Sequence, residues 1–166
     1  MIALMAETLR LDLPEPHFTL FNSTREGTPA VIVVNEALLS FPRPDVFPWH
    51  LRVVLEASEL IDNGMPSPDE SKLLFEIGDE IEEAVLDGRT AWGATNALFL
   101  ARSTWNGLRE LLFQVHDPEI AHATLQSLLR SRDWARPWEY RMAEDADWQE
   151  AGYVFALFPL ANGTNS

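Results

Sequence analysis

The sequence has 166 residues, 46% of them hydrophobic, and its 26 Asp and Glu against 12 Lys and Arg give a formal net charge of −14. A chain of this length fits one domain, and so much hydrophobic character excludes disorder except at the ends. The absence of cysteine excludes disulfides, thiol nucleophiles and thiolate metal sites, and it favours a cytoplasmic location.

The ends of the chain show no targeting or membrane pattern. Residues 1–13 are apolar but are interrupted by Glu7 and Arg10, so they lack the unbroken apolar core of a secretory signal. The longest uncharged apolar stretch, 151–163, is shorter than the roughly 18 residues that a membrane span needs. We therefore predict no membrane association. The expected organisation is a lead-in segment, one domain and a disordered tail, over residues 1–16, 17–160 and 161–166.

The first predicted elements are a β-hairpin and a further strand. Residues 17–22 and 30–39 are β-rich runs separated by a turn-forming segment, 23–27. A proline-containing break follows, and residues 49–57 then predict the third strand.

The first helix is marked by its start signal. In Ser67-Pro68-Asp69-Glu70 we expect a capping box, in which Ser67 and Glu70 satisfy each other's free backbone amides, with Pro68 at the first helical position. Apolar residues recur at three- and four-residue spacing as far as Val85, and Gly88 is the expected stop. These signals predict an amphipathic helix.

The second half of the chain predicts a hairpin, a helix, a strand and a short closing helix. Asn106-Gly107 lies between the β-rich runs 95–104 and 108–116, and both residues accept positive φ. Asp117 caps a second helix that begins at Pro118. The last strand and the closing helix are predicted at 137–143 and 145–158.

The order of these elements predicts the fold class. From residue 49 onward it reads strand, helix, strand, strand, helix, strand, which is the βαββαβ, ferredoxin-like plan of an α+β protein. The expected sheet is antiparallel, with both helices on one face. The N-terminal hairpin and the C-terminal helix are additions that either cover the open face or extend an edge.

The chain contains no motif that predicts catalysis, a metal or a cofactor. No Ser-nucleophile or kinase pattern is present, and the spacing of the four histidines matches no zinc motif. His116 precedes Asp117, but Asp117 is better used as a helix cap. Asp145-Ala146-Asp147 lacks the rest of a calcium loop. We therefore predict a protein that is not an enzyme and that carries no metal or cofactor.

Nucleic-acid binding is also disfavoured. RNA-recognition modules share the βαββαβ order, but strand 108–116 offers only Phe113 and Arg109 where those modules carry a basic, aromatic motif. The negative charge of the chain repels phosphate backbones as well. We predict no nucleic-acid partner.

The acidic residues instead predict a basic protein partner. Residues 59–87 contain ten acidic residues and one basic residue, Lys72. Such a surface is usually just solvated, but it also attracts cationic surfaces. Trp105, beside the hairpin turn, is a candidate apolar anchor, although clustered Trp most often belongs to the core. The candidate partner-binding carboxylates lie at helical spacing with no Lys to compensate them: Glu76, Asp79, Glu80 and Glu83.

Three groups of residues carry a family resemblance. They are Asn63-Gly64-Met65-Pro66 with the Glu-rich helix after it, the hairpin 97–115 with His116-Asp117-Pro118-Glu119, and Asp145-Ala146-Asp147-Trp148 with Phe158-Pro159. Over residues 49–159 the chain resembles the bacterial domain-of-unknown-function family 695, which implies a bacterial protein without an established activity. That family is similar in places to the regulator B family of ribonuclease E inhibitors, small acidic α+β proteins that bind an RNA-processing enzyme. The resemblance implies a binding role by analogy.

The leading hypothesis is a non-enzymatic protein that binds and inhibits a basic partner, as an immunity protein does for a toxin or a regulator for an intracellular nuclease. One alternative is a small-ligand enzyme or sensor with a pocket between the N-terminal hairpin and the sheet. A buried carboxylate with a strongly raised pKa, beside His50 or His116 in a cleft, would favour that alternative. Another alternative is a structural homodimer formed through the open sheet face or an edge strand.

Overall fold

The computed structural model describes residues 13–158. Residues 1–12 of the predicted lead-in, residues 159–160 and the whole predicted tail lie outside the described residues. The described strands are β1 Phe18–Arg25, β2 Thr28–Asn35, β3 Trp49–Glu56, β4 Ala97–Trp105, β5 Leu108–Val115 and β6 Trp138–Glu144. The helices are α1 Pro68–Asp87, α2 Pro118–Ser131 and α3 Gln149–Phe155.

The six strands form one antiparallel sheet in the order β1-β2-β4-β5-β3-β6. Strands β4-β5-β3-β6 have the ferredoxin-like order, with α1 and α2 on the same face. This confirms the predicted α+β core. The β1–β2 hairpin pairs with β4 and extends the sheet at that edge, whereas α3 lies on the face opposite α1 and α2.

Each face of the sheet has its own hydrophobic core. On the opposite face from α1 and α2, α3 and the segment 36–47 close the core, and the Trp148 ring stacks on Phe41 with centroids 5.5 Å apart. The indole nitrogen of Trp148 donates to the carbonyl oxygen of Phe47 at 2.8 Å. On the side of α1 and α2, the fully buried side chains include Leu74, Ile81, Leu111, Phe113 and Leu125.

The first hairpin is tighter than the sequence predicts. Only Glu26 and Gly27 connect its strands, both with positive φ (53° and 79°), which is the backbone of a two-residue hairpin turn. The predicted continuation of the second strand to residue 39 is wrong. The side chain of Asn35 bonds instead to the backbone of His17 and Phe99, and residues 36–38 form a 3₁₀ turn. The bounds of β3 to β6 differ from the predicted ones by two residues at most.

The predicted capping box at the start of α1 is half correct. The Ser67 hydroxyl accepts the Glu70 backbone N–H at 3.2 Å, as expected. The Ser67 N–H, however, donates to the backbone oxygen of Glu59, and the Glu70 carboxylate accepts from the Ser58 N–H and from Arg136. A guanidinium binds a carboxylate more strongly than a neutral amide does, so the long-range pair replaces the local one.

The closing helix is shorter than predicted. Trp148 has a φ of 56°, outside the helical region, and α3 begins at the next residue. The Asp145 carboxylate accepts the backbone N–H groups of Gln149 and Glu150, so Asp145 caps the helix from a distance. No helix within residues 13–158 is long and apolar enough to cross a membrane.

Candidate functional site

Beyond its first turn, helix α1 presents most of its carboxylates to solvent because its apolar stripe faces the sheet. Leu74, Ile77, Ile81 and Val85 are buried on the inner side, and helical periodicity turns the intervening acidic positions outward. Of the four predicted partner-binding carboxylates, Glu76, Asp79 and Glu83 are exposed and Glu80 is partly exposed. The structure therefore brings these four residues together on one outer face, which we name the acidic α1 face.

Arginines from other elements compensate part of this face. Arg132, just beyond α2, lies 2.9 Å from Glu80, and Arg102 of β4 lies 3.8 Å from Asp79 and 3.5 Å from Glu82. Burial raises the pKa of Glu82, while the Arg102 guanidinium opposes that rise. Glu76 and Glu83 form no ion pair within residues 13–158. They are the uncompensated charges of the face.

Trp105 lies away from the acidic α1 face. Its indole N–H donates to the backbone oxygen of Arg25 at 3.0 Å, and the Arg25 guanidinium covers the ring 4.3 Å from the centroid. Arg25 also contacts Glu110, on the sheet face opposite α1. The five predicted partner-binding residues therefore do not form one continuous surface.

A cleft of about 390 Å³ lies between the sheet and α3. The β1–β2 hairpin does not form a separate wall here, because it belongs to the same sheet and contributes Arg25 and Ile32 to the cleft lining. Glu110 is buried between two guanidiniums, 2.6 Å from Arg52 and 3.3 Å from Arg25. A favourable ion-pair geometry of this kind holds both partners in place.

A separate series of side-chain hydrogen bonds lies beside that cleft. His50 Nδ1 donates to the Gln114 side-chain oxygen at 2.6 Å, and the Gln114 amide nitrogen lies 3.5 Å from the Asp145 carboxylate. His116, the other histidine of interest, instead donates from Nδ1 to the backbone oxygen of Val46 at 2.6 Å. Because these polar groups hydrogen-bond to one another, they hold the walls of the cleft in place. Few of them remain free to bind a ligand.

A second cavity, of about 260 Å³, separates α1 from the β1–β2 hairpin. We name it the α1–hairpin groove. Its lining combines apolar side chains with two arginines and two hydroxyls: Leu20, Val31, Val33, Met65, Pro66, Ser71, Phe75, Arg102, Thr104 and Arg109.

Arg109 is the exceptional residue of this groove. It is only 3% exposed, and its guanidinium stacks 4.4 Å from the centroid of the Phe75 ring. Nη2 donates to the Ser71 hydroxyl at 3.4 Å, whereas the buried Nε and Nη1 have no partner in the described chain. Burial lowers the pKa of Arg109 to about 10, since desolvation disfavours its charged form.

In the sequence, Arg109 stands out only as an isolated basic residue on a strand. A signal was nevertheless present: Leu111, Phe113 and Val115 alternate onto the core face of β5, and the same two-residue period places Arg109 on that face. An arginine at a core-facing strand position predicts an anionic partner, because charged side chains are almost never fully buried unless they are paired.

Within residues 13–158, no group of three or more His, Asp or Glu side chains is arranged to hold a metal ion. A family model described as "Family of unknown function (DUF695)" matches residues 17–154. A search of curated proteins found no match.

Proposed function

This chain belongs to the DUF695 family, and we propose that it is a non-enzymatic protein that binds and inhibits a basic protein partner through the acidic α1 face. The partner class is a nuclease or toxin whose active site carries Lys or Arg. In this role the chain acts as an immunity protein or as a regulator in the bacterial cytoplasm. We further propose that the family resembles the regulator B family of ribonuclease E inhibitors, an analogy that would favour the inhibitory role.

The observation that carries the proposal is the pair of uncompensated carboxylates, Glu76 and Glu83. They stand seven residues apart on one side of a helix, a separation of about 10 Å. Both are exposed, so their field reaches solvent over about a Debye length, ~8 Å at physiological salt. Fields of this sign accelerate encounters with cationic proteins.

The neighbouring ion pairs define which carboxylates contribute most. Asp79 and Glu80 already have guanidinium partners within the chain, and a new partner would have to compete with Arg102 and Arg132 for them. Glu76 and Glu83 have no such competition. We therefore place the electrostatic centre of the interface on these two residues and treat Trp105 as a separate surface.

The proposal is tested with two double variants of equal charge. Glu76→Lys with Glu83→Lys changes the acidic α1 face, whereas Glu144→Lys with Asp147→Lys changes exposed positions at the end of β6 and in the loop after it. Immobilised wild-type and variant proteins are incubated with lysate of the source organism, at low and at moderate salt, and retained proteins are identified by mass spectrometry.

A basic protein retained by the wild type and by the β6-end variant, but lost from the α1 variant, supports the proposal. Its retention should fall as salt rises, since surface charges are screened. Equal loss from both variants would indicate general charge attraction and refute a specific α1 interface. Retention of no basic protein at either salt would also refute it.

A further inference from the structure

We propose that the α1–hairpin groove binds a small organic carboxylate, with Arg109 as the residue that holds its anionic group. This ligand site is independent of the partner-binding proposal, because Glu76 and Glu83 do not line the groove. Either proposal can fail without the other.

Arg109 is buried without an anionic partner, which is the first support for a ligand site. Within residues 13–158 the buried carboxylates have partners: Glu70 is paired with Arg136, Glu110 with Arg52, and Asp145 accepts backbone N–H groups of α3. Arg109 forms no ion pair within residues 13–158, and two of its buried nitrogens lack any acceptor there. A buried charge is retained in proteins when it is paired. The partly exposed Phe75 ring covers the guanidinium, so an anion that displaces this ring would supply the missing acceptors.

The charge balance of the groove defines the anion. Arg102, the second cation of the lining, is already shared between Asp79 and Glu82. The two carboxylates beside Arg102 already balance the two arginines in net charge, so the groove accommodates at most one further negative charge, with which the Arg109 guanidinium would pair directly. A guanidinium presents parallel N–H donors that fit the two oxygens of a planar carboxylate. A phosphate dianion would bring a surplus negative charge close to Asp79 and Glu82.

The walls of the groove define the rest of the ligand. Leu20 and Phe75 are 58% and 42% exposed although both are large and apolar, and Val31 and Val33 line the space beside them. The volume of about 260 Å³ is just below the ~300–1,000 Å³ of pockets for drug-sized ligands. An apolar body of one ring with a short acidic arm suits this space.

The test uses 3-phenylpropionate as the probe and the neutral 3-phenylpropanamide as its matched control. Each is titrated into the full isotope-labelled chain, and amide chemical shifts are followed by NMR. We expect saturable shifts confined to residues around Ser71, Phe75 and Val31, with the amide binding at least about tenfold more weakly. Equal affinity for the two compounds, or no saturation at millimolar concentration, would overturn the proposal.

Variants locate the site. Arg109→Met should abolish the carboxylate titration, whereas Arg43→Met, in the segment that covers the opposite sheet face, should not change it. If Arg109→Met does not fold, Leu20→Glu replaces it, since it adds a negative charge at an exposed rim position. Leu39→Glu is its control, because Leu39 is also exposed and lies outside the groove. Unchanged binding in a folded groove variant would overturn the assignment.

Discussion

The contact between Glu70 and Arg136 gives the most quantitative prediction. The Glu70 carboxylate is 1% exposed and accepts both Nε and Nη2 of Arg136, at 2.7 Å and 2.6 Å. The Ser58 N–H donates to it as well. The pair joins the start of α1 to the segment before β6. Glu70→Gln removes the negative charge while it keeps the size of the side chain.

The magnitude follows from the carboxyl pKa. The hydrogen bonds from Arg136 lower the pKa of Glu70 from 4.5 to about 2. That difference corresponds to roughly 3 kcal/mol of stabilisation of the charged form. Because Arg136 is partly exposed and water screens the pair, we expect Glu70→Gln to lower the free energy of unfolding by about 2 kcal/mol near neutral pH. The pKa is depressed in the folded state, so this stabilisation is complete above pH 4.5 and is lost as pH falls toward 2.

The assay is urea unfolding of the wild type and of Glu70→Gln at about pH 6 and about pH 3. The difference between the two proteins should fall to less than half at the lower pH, since part of the carboxylate stabilisation is then lost. Glu144→Gln, an exposed carboxylate of β6, is the control and should show a difference near zero at both values. A Glu70→Gln difference that is independent of pH would refute the ionic explanation of this contact.

Two further predictions concern backbone conformation and packing. Gly107→Ala should lower the free energy of unfolding by about 2 kcal/mol, because φ is 78° and the new Cβ would lie 3.2 Å from Leu60. Gly27→Ala also places a Cβ at a positive φ, 79°, but no atom lies within 4 Å of it. We therefore expect its free energy of unfolding, measured with urea for both variants, to fall by only about 1 kcal/mol. Equal losses in the two variants would show that the contact with Leu60 does not contribute. Trp148→Phe should lose about 2 kcal/mol, since it deletes the hydrogen bond to Phe47 and leaves space beside Phe41. Thermal unfolding checks this loss, and an unchanged midpoint would contradict it.

The elements of the core were predictable because their signals are local. Ser67-Pro68 marks the start of α1 through one hydroxyl and one fixed φ. Asn106-Gly107 marks the β4–β5 turn because both residues have positive φ, 47° and 78°. Such signals depend on few neighbours, so the strand and helix order, and with it the fold class, follows from the sequence.

The placement of the first hairpin was not predictable in the same way. Its strands carry apolar residues on both faces: Val31 and Val33 face the α1–hairpin groove, and Ile32 and Val34 face the core of α3. A run that is apolar on both faces does not specify which side it covers. Only its pairing with β4 decides that it extends the sheet.

The candidate sites differ in the same way in how far the sequence predicts them. The outward position of Glu76 and Glu83 follows from helical periodicity, which the sequence contains. The pairing of Glu80 with Arg132 joins positions more than fifty residues apart, so no local sequence pattern predicts it. The alternation of β5 predicts the burial of Arg109. Its lack of a hydrogen-bond partner depends instead on which side chains the other elements place around it.

The position of β3 in the sheet has a consequence for synthesis of the chain. Among the described strands, β3 pairs only with β5 and β6, both of which follow it in sequence. At translation speeds of about 5–20 residues per second, β5 is completed roughly 3–12 seconds after β3. During this interval Leu51, Val53 and Leu55, all fully buried in the finished fold, have no strand to pair with on the nascent chain. β3 is therefore a segment for which a chaperone at the ribosome exit would compete with folding.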